Sequence, residues 1–350
     1  MALNKQHKLY QEDIANVLSI KGIELFHNKS FLITGATGLI GVHLIDALMA
    51  MGDVHVCAVG RSKERAQNRL GEYFDNPRFT FMEHDVTKPF DSREIVNSKL
   101  SNGKLDVIIP LASNTHPLAY SQFPIETILI NTKGAEHALQ LAEQCGATVL
   151  YPSTVEVYGN AKGEDVFLED YTGMLNLSNA RSCYPESKRT CEALCQSYLA
   201  ERGVKVKIVR LSRVFGPTML LSDTKASSQF IKNVIAGEDI VLKSRGEQFF
   251  SYTYVADAVA AMLHVLLHGE TGIPYNISNP DCDVRLRDFA ACCAAYNGRQ
   301  VVFDLPSDVE SRGFSIATRA ILDSSRLQSI GFLPHYKIDD AIHRTIELLN

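Results

Sequence analysis

Tyr184 and Lys188 form the pair of side chains whose types and spacing most directly suggest chemistry. They lie four residues apart in the segment Tyr-Pro-Glu-Ser-Lys, and on a helix this spacing places both on one face, one turn apart. A free tyrosine, with a pKa of about 10, is a poor base at neutral pH. A nearby ammonium lowers the pKa of a phenol by stabilising the phenolate. Tyr184 can therefore take a proton from an alcohol, with Lys188 supporting the phenolate.

A further polar residue, Thr154, follows an apolar run in the segment Tyr-Pro-Ser-Thr-Val-Glu-Val-Tyr-Gly of residues 151–159. Its hydroxyl can hydrogen-bond the oxygen from which Tyr184 takes the proton, and so stabilise the alkoxide that forms. The three side chains thus suggest oxidation of an alcohol, which requires a hydride acceptor nearby.

A glycine-rich turn upstream is the expected site for such an acceptor. The strand-like run Ser30–Thr34 is followed by Gly35, Gly38 and Gly41 and then by an amphipathic helical pattern. In this context the first glycine permits a tight turn, the second lets the backbone approach a pyrophosphate, and the third lets the helix pack on the strand. The N–H groups and positive dipole end of the helix then face the phosphates. The turn residues predicted to contact the dinucleotide are Gly35, Thr37, Gly38, Leu39, Ile40 and Gly41.

The end of the second predicted strand bears on the choice between NAD and NADP. An acid there accepts hydrogen bonds from the ribose hydroxyls, whereas an arginine can hold a 2′-phosphate. The sequence has Arg61 and no acid at this point, which favours either NADP or an arginine packed over the adenine. The predicted cofactor is NAD, with NADP as the alternative because Arg61 stands where an acid is usual. Asp85, after the third strand, is a candidate adenine contact. The other predicted cofactor contacts are Val86, Leu111, Ala112, Ser113 and Asn131, together with Tyr184 and Lys188.

Short apolar runs alternate with helical patterns along the first part of the chain. This alternation indicates a parallel sheet covered on both faces, so the predicted class is α/β with a doubly wound Rossmann sheet. Beyond it, short strands mixed with helices predict a smaller, mixed α/β part that binds substrate. We divide the chain into a leader (1–29, with a helix over 14–26), a dinucleotide-binding domain (30–212) and a substrate-binding part (213–350). The predicted strands of the sheet are Ser30–Thr34, Val54–Val59, Arg78–Met82, Leu105–Leu111, Thr148–Tyr151 and Lys205–Leu211.

Composition limits the possible functions. The chain has 350 residues, 45% hydrophobic and 21% charged, with a formal net charge of −5, a balance typical of a globular protein. A nucleic-acid binder would need a basic face, which this balance does not indicate. The eight cysteines include no Cys-x-x-Cys pair, so no metal site is predicted and a reducing cytoplasm is expected. No apolar run reaches the roughly 18 residues of a membrane span, and the N-terminus lacks a signal-peptide core.

Five motifs occur in the order found in the extended short-chain dehydrogenases, which include nucleotide-sugar epimerases, dehydratases and decarboxylases. The chain resembles that family over residues 28–345. The resemblance implies that Thr154, Tyr184 and Lys188 oxidise a sugar at C4 and return the hydride, with Glu156 as a second polar catalyst or substrate contact. An oxidised nicotinamide beside the tyrosine would lower its pKa further. The motifs are Gly35/Gly38/Gly41, Ser153-Thr-x-Glu-Val-Tyr-Gly159, Tyr184-x-x-x-Lys188-Arg189, Arg210-x-x-x-Val-Phe-Gly216-Pro217 and Tyr254-Val-x-Asp257.

Within the family, Ser-Thr-Val-Glu-Val-Tyr-Gly and Arg-Ser-Cys-Tyr look most like the segments of UDP-glucuronate decarboxylases, yet the chain departs from their pattern. Their arginine four residues before the tyrosine of Tyr-Val-x-Asp is Phe250 here, and the usual asparagine before Gly-Pro is Arg213. Thr218 replaces the arginine that often follows Gly-Pro. An arginine that would bind a phosphate or the substrate carboxylate is therefore missing, and Arg213 or Arg245 could replace it. The predicted substrate contacts are Ser113, Thr154, Arg213 and Phe250.

Several functions remain open at this point. The main prediction is an NDP-sugar (UDP-sugar) 4-epimerase, which needs only the Thr/Tyr/Lys set. UDP-glucuronate decarboxylation is the alternative, favoured by Glu156 and weakened by Phe250, and Arg61 suggests an NADPH-dependent keto-sugar reductase. Dehydration is disfavoured because Val155 replaces the acid that protonates the leaving hydroxyl, and a non-catalytic sensor would gain nothing from the intact set. The expected partners are a nucleotide sugar and a second copy of this chain. The two copies would form a homodimer whose interface includes the helix over 184–200.

Overall fold

Strands and helices alternate regularly at first and form a more mixed pattern later in the chain. The computed structural model describes residues 3–97, 103–115, 117–161, 166–304 and 318–350. Its strands are β1 (Ser30–Thr34), β2 (His55–Gly60), β3 (Phe79–Glu83), β4 (Val107–Pro110), β5 (Thr148–Thr154), β6 (Val166–Phe167), β7 (Val206–Leu211), β8 (Arg213–Phe215), β9 (Ile240–Leu242), β10 (Phe249–Tyr254), β11 (Pro274–Ile277), β12 (Asp283–Arg285), β13 (Val301–Phe303) and β14 (Arg319–Leu322). Its α-helices are α1 (Lys8–Leu18), α2 (Leu39–Ala50), α3 (Lys63–Leu70), α4 (Ser92–Asn97), α5 (Pro117–Gln122), α6 (Pro124–Cys145), α7 (Cys183–Arg202), α8 (Ala226–Ile235), α9 (Val255–His268), α10 (Leu286–Tyr296), α11 (Ser325–Ser329) and α12 (Ile338–Leu349).

The central sheet has seven parallel strands in the order β11-β7-β5-β4-β1-β2-β3. This confirms the predicted doubly wound α/β class. The predicted strand bounds hold to within two residues, except that β5 continues to Thr154. The strand order reverses between β1 and β4, and ligands bind in such folds at the carboxyl ends of the strands beside this reversal.

Two apolar layers cover the sheet, one on each face. Phe31 and Ile33 of β1 belong to one core cluster with residues of α1, α2 and α9, whereas Leu32 belongs to another with residues of α6 and α7. Successive residues of a strand point to opposite faces, so this alternation follows from β1 being buried on both sides. Helices α6 and α7 therefore pack together on one face, where α7 carries the predicted catalytic pair.

The later part of the chain forms a smaller mixed sheet, as predicted. Strands β12, β10, β14 and β6 follow one another in it, and β8 pairs with β10. Strand β11 instead pairs with β7 in the central sheet, so the chain returns to that sheet after residue 213, and the division at 212/213 stays a prediction. Arg213 opens β8 and Phe250 lies in β10, so the pairing of these two strands brings the departures from the family pattern together.

The N-terminal leader packs into the core. Helix α1 runs over Lys8–Leu18 and contacts α2 and α9, so the prediction of one helix over 14–26 is wrong. Gly22, with a φ of 86°, interrupts the helical pattern, and only a 3-10 turn follows at Ile23–Phe26. Asp13 of α1 is buried and accepts hydrogen bonds from later parts of the chain, which ties the leader to them. Its partners are Tyr254, Tyr336 and Arg344.

Candidate active site

The glycine turn between β1 and α2 leaves no room for a Cβ at Gly35 or at Gly41. Gly35 has a φ of 63°, which favours glycine, and a Cβ there would lie 2.7 Å from the backbone nitrogen of Ala112. A Cβ on Gly41 would lie 2.5 Å from the carbonyl oxygen of Gly35. Gly38 caps the N-terminus of α2, whose first N–H groups have no partner within the helix. This geometry fits a dinucleotide pyrophosphate, which needs close backbone approach and a helix N-terminus.

Polar contacts link this turn to the end of β4 and to the helices α6 and α7. The N–H of Ala112 donates to Oγ1 of Thr34 at 3.1 Å. Oγ of Ser113 donates to Oδ1 of Asn131 at 2.7 Å, and Nδ2 of Asn131 donates to Oγ of Ser187 at 2.8 Å. The predicted cofactor contacts that line one small cavity here are Val86, Ala112, Asn131 and Lys188. Those that are half-buried in the turn and after β4 are Thr37, Leu39, Ile40 and Leu111.

Arg61 and Asp85, near the ends of β2 and β3, are both exposed. Nη1 of Arg61 lies 2.9 Å from Oε1 of Glu126 in α6, with 62% of the arginine side chain exposed. Asp85 accepts hydrogen bonds from the backbone nitrogen and the hydroxyl of Thr87, and the backbone bond is the main reason that the pKa of Asp85 is lowered. The Glu126 carboxylate offsets the charge with which Arg61 would attract a 2′-phosphate, so the arrangement favours NAD.

Thr154 at the end of β5 meets Tyr184 and Lys188 of α7 at the carboxyl edge of the central sheet. The side chains of Thr154 and Tyr184 share a hydrogen bond. Nζ of Lys188 donates to the carbonyl oxygen of Pro152 at 2.8 Å and lies 5.0 Å from the centre of the Tyr151 ring. Tyr184 and Lys188 are buried, with 8% and 5% of their surfaces exposed. The structure thus brings together the three side chains that the sequence predicts for C4 chemistry.

The chain's own groups hold Tyr184 in its protonated form. Burial raises the pKa of Tyr184 and the carboxylate of Glu156 raises it further, whereas the hydrogen bond with Thr154 lowers it. Burial also lowers the pKa of Lys188, whose ammonium is bonded to a backbone carbonyl. The lowered tyrosine pKa expected from the sequence is therefore not produced by these residues. The positive charge of an oxidised nicotinamide would act against the effect of burial.

Glu156, two residues beyond Thr154, faces a group of side chains that sequence reasoning missed. Its Oε1 lies 4.0 Å from Nη2 of Arg181, and that nitrogen lies 3.3 Å from Oη of Tyr120, to which it donates. The ring of Tyr120 stacks on Tyr184 with 5.6 Å between centroids. Arg181 is the first residue of the Arg-Ser-Cys-Tyr segment, and that segment is the sequence feature from which it could have been predicted. No pattern in the sequence marks Tyr120.

Arg213 and Phe250, both predicted substrate contacts, stack on each other. Cζ of Arg213 lies 3.5 Å from the centre of the Phe250 ring. Nη1 of Arg213 is buried and has no hydrogen-bond partner among the residues that the structure describes. Burial lowers the pKa of Arg213, while electrostatic interactions with Tyr252 and Glu156 raise it. Arg245 is exposed, so Arg213 is the one of the two candidate arginines whose guanidinium has a buried nitrogen and lies on the ring of Phe250.

Two motif arginines hold the elements of the site together. Nε of Arg189 donates to the carbonyl oxygen of Val157 at 2.7 Å, and its Nη2 donates to that of Gly173 at 2.8 Å. Arg210 in β7 forms an ion pair with Glu192 in α7, with 2.7 Å between Nη2 and Oε2. Both side chains are largely buried, so the charge-assisted bonds fix α7 against its neighbours. These arginines position the helix that carries the catalytic pair.

The described ranges lack the features of a membrane-spanning helix or of a metal-binding cluster. No helix there has the length and apolarity needed to cross a membrane. Within the same ranges no three His, Cys, Asp or Glu side chains group closely enough to hold a metal ion. All eight cysteines are free thiols. Cys191 and Cys195 of α7 are buried in the core, whereas Leu194 and Leu199 of the same helix are half-buried.

Comparisons with known sequences identify the family. A model described as the NAD dependent epimerase/dehydratase family matches residues 31–278. UDP-glucuronic acid decarboxylase 6 of Arabidopsis thaliana is 34% identical over 253 residues, which cover 72% of this chain and 70% of that protein. UDP-glucuronic acid decarboxylase 1 of Danio rerio is 29% identical over 323 residues, which cover 91% of this chain and 72% of that protein.

Solved structures share the fold at low sequence identity. The UDP-glucuronic acid 4-epimerase from Bacillus cereus, in complex with UDP-glucuronic acid and NAD, matches with a TM-score of 0.77 and 20% identity, covering 91% of this chain and 98% of that chain. The dTDP-glucose 4,6-dehydratase from Bacillus anthracis, in complex with NAD, matches with a TM-score of 0.76 and 17% identity, covering 91% and 96%. Because the matched family model spans both the glycine turn and the Tyr/Lys pair, the chain belongs to the NAD-dependent epimerase/dehydratase family.

Proposed function

We propose that the protein is an NAD-dependent decarboxylase of UDP-glucuronate that works through a 4-keto intermediate. The observation that carries the proposal is the identity of 34%, over 72% of the chain, to a protein named UDP-glucuronic acid decarboxylase. This relationship favours the decarboxylase over the 4-epimerase that the sequence alone puts first. The ion pair of Arg61 with Glu126 weakens the case for an NADPH-dependent reductase.

The residues of the site can carry each step. The glycine turn, with Ala112, Ser113 and Asn131, would hold NAD, which when bound takes a hydride from C4 of the sugar and later returns it. Tyr184 accepts the proton of the C4 hydroxyl, and Thr154 holds the same oxygen. The C4 ketone is β to the C6 carboxylate, so the electrons of the C5–C6 bond can pass to the ketone oxygen as CO2 leaves. Protonation at C5 and return of the hydride and proton give UDP-xylose, with no net oxidation.

A 4-epimerase acting on UDP-glucuronate is the second candidate, because Phe250 stands where the decarboxylases that this chain resembles carry an arginine. An epimerase needs no further group beyond Thr154, Tyr184 and Lys188, all of which meet at the site. The 4-keto sugar would then present its other face to the returning hydride and keep its carboxylate. The two candidates therefore differ in the fate of the carboxyl carbon C6, which the decarboxylase releases as CO2 and the epimerase keeps.

The test uses UDP-glucuronate labelled at the carboxyl carbon, incubated with the purified protein with and without added NAD. The expected result is release of labelled CO2 and formation of UDP-xylose in equal amounts, without accumulation of NADH. UDP-galacturonate formed without CO2 would replace the decarboxylase by the epimerase. An absence of both products in the presence of NAD would reject both candidates.

A variant pair tests the assigned base. Tyr184→Phe removes the hydroxyl that accepts the proton, so kcat should fall about 10²–10⁴-fold while NAD remains bound. Tyr198→Phe changes the same residue type elsewhere on α7 and should leave kcat unchanged. Full turnover by Tyr184→Phe would contradict the assignment, and loss of NAD by that variant would show that its effect is not confined to the proton transfer.

We further propose a homodimer formed through α6 and α7, in a reducing cytoplasm. Ile125, Ile128 and Leu129 of α6 are exposed, and their spacing places them together on the helix surface, where an apolar patch suits a partner. The free thiols suit a reducing compartment. Light scattering of the purified protein should give twice the mass of one chain, and Ile125→Glu/Leu129→Glu should give a monomer.

A further inference from the structure

The neighbouring strands β8 and β10 place positions 213 and 250 on one face of the mixed sheet. Arg213 is paired with Tyr252 in the parallel register of these strands. Alternate residues of a strand share a face, so the side chain of Phe250 lies on the same face as that of Tyr252. The stacking of the Arg213 guanidinium on the Phe250 ring, at 3.5 Å from its centre, is the direct result. Position 213 is therefore a diagonal neighbour of position 250.

This geometry makes the two positions interchangeable as sources of a guanidinium. An arginine is long enough to bring its head over the diagonal neighbour on a sheet face. In the family pattern that this chain resembles, the corresponding positions hold asparagine and arginine, whereas this chain has arginine at 213 and phenylalanine at 250. The exchange keeps one guanidinium on this face of the sheet and moves only its point of attachment.

The guanidinium of Arg213 has spare bonding capacity. Its Nη1 is buried without a hydrogen-bond partner among the residues covered by the structure, and a buried donor left unpaired is costly. The groups that interact with it electrostatically are Tyr252, Glu156, Tyr120 and Arg181. Glu156 is the one carboxylate among them, and its Oε1 lies 4.0 Å from Nη2 of another arginine, Arg181. An additional anion would therefore complete the contacts of Arg213.

We propose that Arg213, supported by the ring of Phe250, binds the carboxylate of the hexuronate substrate and so replaces the arginine of the decarboxylase pattern. The inference rests on the proposed function for the identity of the sugar. Thr154 is paired with Leu211 in the register of β5 and β7, and Arg213 follows two residues later, so β8 begins at the same carboxyl edge of the central sheet as the candidate catalytic residues. A planar guanidinium can bind a carboxylate through two parallel hydrogen bonds, and the aromatic face adds a cation–π contact that holds it in position.

Equilibrium binding to the NAD-loaded protein tests this role without requiring turnover. Calorimetry would compare UDP-glucuronate with UDP-glucose, which lacks the carboxylate, and with UDP, which lacks the sugar. Arg213→Gln should weaken UDP-glucuronate about tenfold to a hundredfold, the range for a charge-assisted hydrogen bond, and leave the other two within about threefold. Equal weakening of all three ligands would assign Arg213 to the diphosphate and overturn the proposal, as would no weakening at all.

The exposed Arg245 supplies a matched control. Arg245→Gln makes the same change of charge on the same part of the chain, so it should leave the binding of all three ligands unchanged. Weakening of UDP-glucuronate by this control as great as by Arg213→Gln would mean that general charge is responsible, and would overturn the assignment to Arg213.

An exchange of residues tests whether the guanidinium can act from either position. Arg213→Asn alone should weaken UDP-glucuronate as Arg213→Gln does. Arg213→Asn/Phe250→Arg restores the family arrangement and should recover binding to within about threefold of the wild type. A folded double variant, with an unchanged melting temperature, that fails to recover binding would overturn the exchange.

The outcome also separates this inference from the proposed function. Selective loss of UDP-glucuronate binding in Arg213→Gln, in a wild-type protein that releases no CO2, would uphold the carboxylate contact and reject decarboxylation. Release of CO2 with no selective loss would uphold decarboxylation and reject the role of Arg213. A wild-type protein that fails to bind UDP-glucuronate would reject both.

Discussion

The proposed cofactor side and the proposed substrate side of the candidate site are built from different kinds of contact. On the cofactor side the backbone makes them, and a Cβ on Gly35 or Gly41 would lie within 2.7 Å of main-chain atoms. On the substrate side charged and aromatic side chains make them, as Arg213 does over Phe250. A backbone contact of this kind admits one residue type at each position, whereas two neighbouring positions can deliver the same charge. The cofactor side is thus constrained residue by residue, and the substrate side is constrained only in its overall chemistry.

The largest predicted effect comes from adding one methyl group to the cofactor side. In Gly41→Ala the new Cβ would lie 2.5 Å from the oxygen of Gly35, so α2 must move away from β1. We expect the purified protein to lose its bound NAD and its free energy of unfolding to fall by about 1–3 kcal/mol, the range for overpacking. Cofactor content after denaturation and the melting temperature measure these two changes.

Gly71→Ala is the matched control, because Gly71 lies in the same domain and a Cβ there meets nothing within 4 Å. That variant should keep its NAD and its melting temperature. If Gly41→Ala retained a full complement of NAD, the backbone packing of the turn would not be the constraint that separates the two sides.

The cofactor side could be predicted from the sequence for the same physical reason that makes its glycines intolerant of substitution. Gly35 must adopt a positive φ, and Gly41 must allow the close approach of a carbonyl oxygen. Each position therefore requires glycine, and the two glycines appear in the sequence at a fixed spacing. The strand and helix around them follow from apolar patterning. Thr154, Tyr184 and Lys188 were found because a strand end and one helix turn hold them at regular spacing.

The substrate side was less predictable because its groups come from short elements that are far apart in the chain, or from the backbone. Loops adjoin both Tyr120 and Arg181, and no periodicity in the sequence predicts the paths of those loops. The partner of Lys188 is the carbonyl oxygen of Pro152, and every residue carries such an oxygen. The sequence showed that an arginine is missing at position 250. Only the pairing of β8 with β10 shows that Arg213 lies beside that position. Long-range pairing of this kind leaves no local pattern in the sequence.

The second prediction sharpens the comparison by changing one charge on the substrate side. Tyr184 must lose its proton to act as a base, so activity should rise with pH through its pKa. Burial raises the pKa of Tyr184 and the Glu156 carboxylate raises it further. Glu156→Gln leaves the burial and removes the charge, so the pKa should fall and the acidic limb of the kcat profile should move to lower pH. The profile of residual activity, even if reduced, measures the shift.

Glu201→Gln, at the exposed C-terminal end of α7, removes the same charge far along the helix and should leave the pH profile where it is. An acidic limb that moved to higher pH in Glu156→Gln, or that moved equally in both variants, would contradict the assigned interaction. The result would then point to a change in net charge, or to another ionising group, as the origin of the pH dependence.

The smallest predicted effect lies on the cofactor side, at the exposed side chain of Arg61. The ion pair of Arg61 with Glu126 is solvent-exposed, and such pairs change binding only modestly. Glu126→Gln frees the guanidinium to attract a 2′-phosphate, so the affinity for NADP should rise by up to about fivefold, the range for an exposed pair. The affinity for NAD, which lacks that phosphate, should change less than about twofold. Fluorescence titrations with the two dinucleotides measure both values.

A double variant distinguishes this charge effect from a general loosening of α6. If Arg61 is the group released, Arg61→Ala/Glu126→Gln should show no gain in NADP affinity, because the two changes act through one interaction. A gain that persists in the double variant would mean that another cation faces the 2′ position. The small size of the effect contrasts with that of Gly41→Ala. An exposed charge can be removed from this side of the site with little effect, whereas one added methyl group disrupts the buried backbone beside it.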